Sequence, residues 1–178
     1  MYISEIEQSR PTDAPENVNH VFDLLEKFGI SYDVVTNDPV EAMTECVEIG
    51  EKLGSEIRKS VFLTNRKKTE FYLLVMPAEK KFDTKVFCDA LGVSRVSFAS
   101  GDLMKEKIGV EPGTASVMSL TLDKEKQVQL VLDKEILDDE YFSCNPTDNR
   151  YHLKINTKDL LEKFIPGIGY RASVISLG

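Results

Sequence analysis

The stretch that decides the fold is Lys59–Pro77, which reads KSVFLTNRKKTEFYLLVMP. It contains two apolar runs, 59–64 and 70–76, rich in β-branched and aromatic residues, with a charged segment between them. Runs of this kind joined by a short polar turn are typical of a β-hairpin. Pro77 cannot continue a central strand and ends the second run. We therefore predict two adjacent antiparallel strands in the middle of the chain.

Helix and strand patterns alternate on both sides of this hairpin. Before it, the sequence predicts helices over 18–28 and 39–53, with a strand over 31–35 between them. After it, the predicted elements are a helix over 86–91 capped by Asp83, a strand over 96–99, a helix capped by Ser100, a second hairpin from 115–122 and 127–133, strands over 141–144 and 151–156, and a last helix capped by Thr157. Hairpins mixed with helices, without strict βαβ alternation, predict an α+β fold with a mixed or antiparallel sheet.

Length and charge restrict the classes of protein that this chain can belong to. With 178 residues, 42% of them hydrophobic, we expect one domain over 1–178, with a loose N-terminal arm over residues 1–14. No apolar run approaches the roughly 20 residues that cross a bilayer, so we expect a cytoplasmic protein with no membrane partner. The net charge of −8 disfavours binding along duplex DNA but allows a small basic patch that grips one end of a nucleic acid.

The cysteines and histidines do not form a metal-binding pattern. Cys46, Cys88 and Cys144 lack CxxC spacing, and His20 and His152 are the only histidines. We predict reduced thiols and no structural metal.

Two features could bind a ligand. The loop Gly109–Ser116, GVEPGTAS, could present backbone groups to a ligand, although Pro-Gly is also ordinary turn chemistry. Lys59 stands at the start of a strand, where it could contact an anion in a fixed direction or serve as an edge charge that discourages aggregation.

Several short motifs occur in a characteristic order: KSVFL at 59–63, YLLVMP at 72–77, LG at 91–92, SFAS at 97–100 and GVEPG at 109–113. In this order they resemble the YbaK/ProX family of aminoacyl-tRNA editing domains, over about 22–161, and most of all its free-standing ProX type. The resemblance implies a compact mixed domain with a curved, barrel-like sheet, flanking helices and a pocket at one side. It also implies hydrolysis in trans, without metal or cofactor, of the ester in alanine mischarged onto proline tRNA. The implied partners are the 3′ end of charged tRNA and prolyl-tRNA synthetase.

The same resemblance implies the site residues. Lys59 would contact the terminal nucleotide, and the loop at Gly113 would position the ester and the attacking water. Residues placed near the substrate are Ser60, Phe98, Ser100, Thr114, Ser116, Asn145 and Asn149.

Two positions differ from the family pattern. Val117 stands where the GxxxP loop has its proline, and Asn145 stands where the family has a histidine before Pro146. His152 or Cys144 could supply the missing group, or they could be a structural strand histidine and a buried thiol. A non-catalytic module that binds tRNA ends, an amino acid or a partner protein is therefore the alternative to a deacylase.

Overall fold

Eight strands form two sheets. The computed structural model describes residues 1–178. One sheet has the strand order β1-β7-β6, and the other has the order β4-β2-β3-β5-β8. The strands are β1 (Tyr32–Thr36), β2 (Lys59–Asn65), β3 (Phe71–Met76), β4 (Val96–Phe98), β5 (Val128–Asp133), β6 (Tyr141–Cys144), β7 (Tyr151–Asn156) and β8 (Ala172–Ile175). The predicted α+β class is confirmed, and the two sheets do not close into a barrel.

Four helices of eight residues or more accompany the sheets, and shorter helical segments lie between strands. The α-helices are α1 (Glu16–Lys27), α2 (Cys46–Leu53), α3 (Thr84–Leu91), α4 (Gly101–Ile108), α5 (Thr157–Asp159) and α6 (Ile165–Gly167), with a π-helical segment Leu160–Phe164 between the last two. The 3₁₀ segments are Met43–Glu45, Val117–Leu122 and Lys134–Asp138. None of the helices combines the length and the apolar character that crossing a membrane requires.

The predicted hairpin is confirmed and supplies the centre of the larger sheet. β2 pairs with β3 in antiparallel register, with Lys59 opposite Met76. Every residue of β3 is buried, because its two faces belong to two different cores. Leu73 and Val75 join a cluster of 29 buried residues that also includes residues of the smaller sheet. Tyr72 joins a cluster of 10 that includes α3 residues. This two-sided burial explains why β3 is a continuous apolar run and not an alternating one.

The predicted second hairpin is wrong. Only 128–133 forms a strand, β5, and it pairs in parallel with both β3 and β8. The segment Val117–Leu122 is a 3₁₀ helix, capped by the Ser116 hydroxyl, which accepts a hydrogen bond from the Met118 N–H at 3.1 Å. Its first four residues are all fully buried, so the period-2 alternation of a half-buried strand is absent.

The N-terminal segment pairs with β1, where a loose arm was expected. The Ser4 N–H donates to the Thr36 carbonyl at 2.8 Å, and Glu7 and Val34 exchange two backbone hydrogen bonds at 2.9 Å. These bonds occupy the edge of β1 opposite β7, and isolated bridges at Ile3 and Glu7 attach the start of the chain to the smaller sheet.

Two boundaries and one strand also differ from prediction. The helix expected from residue 39 begins at Met43 as a 3₁₀ turn and continues as α2. Asn156, and not Thr157, caps α5, because its Oδ1 accepts a hydrogen bond from the Lys158 N–H at 2.8 Å. The strand β8 has no predicted counterpart.

Candidate active site

Two backbone hydrogen bonds bring three strand ends together. The Arg58 N–H donates to the Ser143 carbonyl at 3.0 Å and joins the start of β2 to β6. The Ala99 N–H donates to the Phe62 carbonyl at 3.0 Å and continues the pairing of β4 with β2. A mostly apolar cavity of about 290 Å³ opens at this junction.

Five of the predicted site residues line this cavity, namely Lys59, Ser60, Phe98, Gly113 and Asn145. A larger concavity of about 750 Å³ lies beside β1 and β7 and contains none of them. The smaller cavity is therefore the candidate site, because it collects residues from four separate segments of the chain.

Two other predicted residues stabilise the backbone before and after α4. Ser100 caps α4 by accepting a hydrogen bond from the Leu103 N–H at 3.2 Å. The Thr114 hydroxyl donates to the Glu111 carbonyl at 2.6 Å, inside the Gly109–Ser116 loop. Neither residue lines the cavity, and both hydroxyls stabilise local backbone.

The last two predicted residues connect the cavity walls. The buried Ser116 hydroxyl donates to the Asn145 carbonyl at 2.7 Å and so fastens the glycine loop to the loop after β6. The Asn149 amide donates to the Val40 carbonyl at 2.6 Å. These side chains lie behind the lining and hold it in place.

Lys59 is the half-buried cation of the site. Its Nζ donates to the Lys80 carbonyl oxygen, which fixes the direction of the side chain. Burial lowers the pKa of its ammonium from the ordinary value. An ammonium has three hydrogens, so Lys59 keeps donors for an anionic group in the cavity.

The glycine loop offers two unused backbone donors. Gly113 has φ +89°, a conformation that side chains disfavour, although a Cβ there would meet no atom within 4 Å. The N–H groups of Gly113 and Ala115 donate to no acceptor in the protein, and both residues line the cavity. Free N–H groups beside a cavity can stabilise an oxygen on which negative charge develops.

Asn145 adds a third free donor. Its Oδ1 accepts a hydrogen bond from the Thr147 N–H at 2.9 Å, and its Nδ2 has no acceptor in the protein. The residue is buried and lines the cavity. The amide can therefore donate to a ligand without disturbing the loop.

The structure also places residues in the lining that the sequence did not assign to the substrate. Cys46 lines the cavity, and burial raises the pKa of its thiol to about 11. Cys144 lies in the large core, away from the cavity, and burial raises its pKa to about 12. Both thiols are protonated at neutral pH and are poor nucleophiles. His152, the other alternative that the sequence offered, also lines the cavity, and its imidazole is buried.

Phe98 stands at the rim. It is 66% exposed, and its ring meets the Phe82 ring in an edge-to-face arrangement with the centroids 5.4 Å apart. An exposed aromatic ring fixed beside a cation can stack on a nucleobase.

Comparison with known families points to tRNA editing. The model of the aminoacyl-tRNA editing domain matches residues 37–163. The prolyl-tRNA editing protein ProX of Acetoanaerobium sticklandii is 28% identical over 153 residues, which are 86% of this chain and 93% of that protein. The prolyl-tRNA synthetase associated domain-containing protein 1 of Danio rerio is 25% identical over 141 residues, 78% of this chain and 76% of that protein.

Solved structures share the fold at lower identity. One is described as a candidate trans-editing enzyme for prolyl-tRNA synthetase; it has a TM-score of 0.68 and 19% identity, and the match covers 93% of this chain and all of that one. A crystal structure of a hypothetical protein has a TM-score of 0.69 and 17% identity over 87% of this chain and 97% of its own. The same arrangement of sheets and helices thus recurs over nearly the full length of both proteins.

Proposed function

Because the chain belongs to the aminoacyl-tRNA editing domain family, we propose that it is an aminoacyl-tRNA hydrolase that acts in trans on alanyl-tRNA(Pro). The observation that carries this proposal is the cavity lined by Lys59, Asn145, Gly113 and Ala115, because the N–H groups of the last two have no acceptor in the protein. The ProX relative from Acetoanaerobium sticklandii supports the same reaction class, since its name describes a prolyl-tRNA editing protein. The reaction would take place in the cytoplasm, on free charged tRNA or on tRNA leaving prolyl-tRNA synthetase.

The proposed chemistry needs positioning more than a strong nucleophile, because an aminoacyl ester is already activated. Water adds to the ester carbonyl carbon, the bond to the ribose oxygen breaks, and the ribose oxygen takes up a proton. The products are free alanine and a tRNA with its terminal hydroxyl restored. The N–H groups of Gly113 and Ala115 stabilise the negative charge that develops on the carbonyl oxygen. The step uses these protein groups and water, and the proposal invokes no metal.

Recognition of the tRNA end would use Lys59 and Phe98. The Lys59 ammonium contacts the terminal nucleotide, where phosphate and ribose oxygens accept hydrogen bonds. The Phe98 ring, which packs edge-to-face against Phe82, stacks on the terminal base. This arrangement grips one end of the tRNA and fits a chain whose net charge of −8 disfavours broad contact with a duplex.

Selection of the amino acid would depend on the size of the cavity. A volume of about 290 Å³ is small for a ligand site, since such sites commonly hold about 300–1,000 Å³. The apolar wall includes Val61, Phe62 and Met104, which limit how large an amino-acid side chain can enter. Exclusion of the larger proline by this wall would protect correctly charged tRNA, because attraction alone discriminates weakly between small apolar groups.

The decisive experiment compares three substrates on the same tRNA. Purified protein is incubated with alanyl-tRNA(Pro), cysteinyl-tRNA(Pro) and prolyl-tRNA(Pro), and loss of the ester is followed against buffer. We expect fast loss of alanine and protection of proline. Hydrolysis of none of the three above the buffer rate would refute the proposal, and binding of tRNA without hydrolysis would favour a non-catalytic binding module.

The role of Lys59 has a matched control. Lys59→Ala is expected to lower kcat/KM by about 10- to 100-fold, since a charge-assisted contact of about 1.5–3 kcal/mol is lost. Lys67→Ala removes an equal charge from the exposed hairpin turn and should leave kcat/KM unchanged. Full activity of the Lys59→Ala variant would remove this residue from the mechanism and leave the reaction class intact.

A further inference from the structure

The cavity contains a buried histidine whose tautomer is set by its neighbours. His152 lies on β7, is 1% exposed and lines the cavity. Its Nδ1 lies 2.8 Å from Oδ1 of Asn37. The Asn37 amide donates to the carbonyls of Asp38 at 2.7 Å and Asn149 at 2.9 Å, so its oxygen must face His152 as an acceptor. The imidazole therefore carries its hydrogen on Nδ1.

The other ring nitrogen of His152 is left with a free lone pair. Nε2 has no hydrogen-bond partner in the protein. Desolvation lowers the pKa of the ring to about 4. The Asp148 carboxylate raises this pKa by a smaller amount, and it is itself paired with Arg150 at 2.7 Å. The ring is thus neutral at pH 7, and Nε2 is a hydrogen-bond acceptor.

The remaining polar groups of the cavity are mostly donors. Lys59, Asn145 and the loop N–H groups all donate, and the Asn145 oxygen is already engaged by Thr147. The Arg58 side chain is buried in ion pairs with Glu56 and Asp139, and the Glu41 carboxylate is exposed. A water that attacks an ester needs an acceptor for its hydrogen. Among the side chains of the lining, the Ser60 hydroxyl is a half-buried acceptor, and Nε2 of His152 belongs to a fully buried ring.

We propose that His152 is a catalytic residue of this site, whose Nε2 accepts a hydrogen bond from the water that attacks the aminoacyl ester. The inference rests on the proposed function. The water oxygen forms the new bond to the carbonyl carbon, and the bond from that carbon to the ribose oxygen breaks. The proton that the water gives up passes to the departing ribose oxygen, so the imidazole returns to its starting state.

Substitution by asparagine separates this role from a structural one. In His152→Asn, the side-chain amide nitrogen can still donate to Asn37, but no atom occupies the position of Nε2. We expect the single-turnover rate constant for hydrolysis to fall by about 100-fold. The steady-state KM and the melting temperature should stay close to those of the wild type. His152→Gln, which places an amide near the Nε2 position, should recover part of the rate. His20→Asn, on the exposed face of α1, is the control and should retain full activity.

The outcomes distinguish the two proposals. A His152→Asn variant with wild-type kcat, in a protein that hydrolyses alanyl-tRNA(Pro), overturns the role of His152 alone. A wild-type protein that hydrolyses no aminoacyl-tRNA refutes the proposed function and this inference with it.

A measurement on the wild-type protein keeps the inference testable if the variant does not fold. Long-range ¹H–¹⁵N correlation spectra report which ring nitrogen of a histidine carries the hydrogen. We expect the neutral Nδ1–H form for His152 at pH 7, both alone and with 3′-alanylamido-3′-deoxyadenosine, a stable mimic of the charged tRNA end. An Nε2–H tautomer or an imidazolium in either state would overturn the proposal, because Nε2 could not accept a hydrogen bond from water.

Discussion

Lowering the pH from 7 to 5 is expected to destabilise the protein by about 2 kcal/mol through His152. Burial lowers the pKa of this imidazole from 6.5 to about 4. Between these values the unfolded chain binds a proton that the folded chain does not. The free energy of unfolding therefore falls as the pH drops through 6.5, and this loss levels off below about 4.

The magnitude follows from the size of the pKa difference. The full loss is about 3 kcal/mol, because each pKa unit corresponds to about 1.4 kcal/mol, and more than half of it is reached by pH 5. Carboxylates do not dominate this interval. Glu26, whose pKa is lowered by its bonds to Arg10 and Tyr32, has an ordinary value of 4.5, so its contribution is lost mainly below that pH.

Urea unfolding at pH 7, 6 and 5, followed by circular dichroism, tests this prediction. His152→Asn cannot titrate and should lose most of the pH dependence, whatever its stability at pH 7. His20→Asn should behave as the wild type. The reasoning is refuted if the wild-type free energy of unfolding changes by less than about 0.5 kcal/mol over this range, or if His152→Asn shows the same slope.

Three substitutions test the rest of the site. Phe98→Ala should raise the KM for alanyl-tRNA(Pro) by about 10- to 100-fold, since a stacked base contributes about 1–3 kcal/mol; Val47→Ala, which shortens another exposed apolar side chain, should not. Gly113→Ala should cost about 1–2 kcal/mol of stability and lower kcat, because φ is +89° and the loop must shift; unchanged kcat would contradict the loop's role. Ser116→Ala should lower stability by about 1–3 kcal/mol, measured by urea unfolding, because its buried hydroxyl bonds both the 3₁₀ helix and the Asn145 carbonyl; a neutral effect would show that these bonds add little.

The central elements were predictable because local signals and packing agree. The hairpin of β2 and β3, the caps at Asp83 and Ser100 and the strands β6 and β7 follow directly from apolar runs, turn residues and capping residues. The family match over 37–163 confirms the resemblance on which the site residues were chosen. The prediction was wrong at Val117–Leu122, since the first four residues of this run are all fully buried and leave no period that distinguishes a strand from a 3₁₀ helix.

The site was harder to predict, because its residues are close in space and distant in sequence. Lys59 and Gly113 come together through the pairing of β2 with β4 and the bond between Arg58 and Ser143, neither of which leaves a local signal. Ser116 belongs to the same motif, but its hydroxyl donates to the Asn145 carbonyl and the residue does not line the cavity. The motifs therefore named segments that meet at one cavity, without showing which of their side chains line it.

His152 illustrates this limit most directly. The first three residues of β7 are all buried, so alternation cannot indicate which face a given side chain occupies. Its orientation is fixed by the register of β7 against β1, where His152 pairs with Val35, and by the amide of Asn37 just beyond the end of β1. Since Asn37 is 115 residues away in the chain, the partner that sets the tautomer becomes visible only after folding. A buried histidine on a strand can thus be structural or catalytic with the same sequence pattern, and the hydrolysis rate of His152→Asn decides between the two roles.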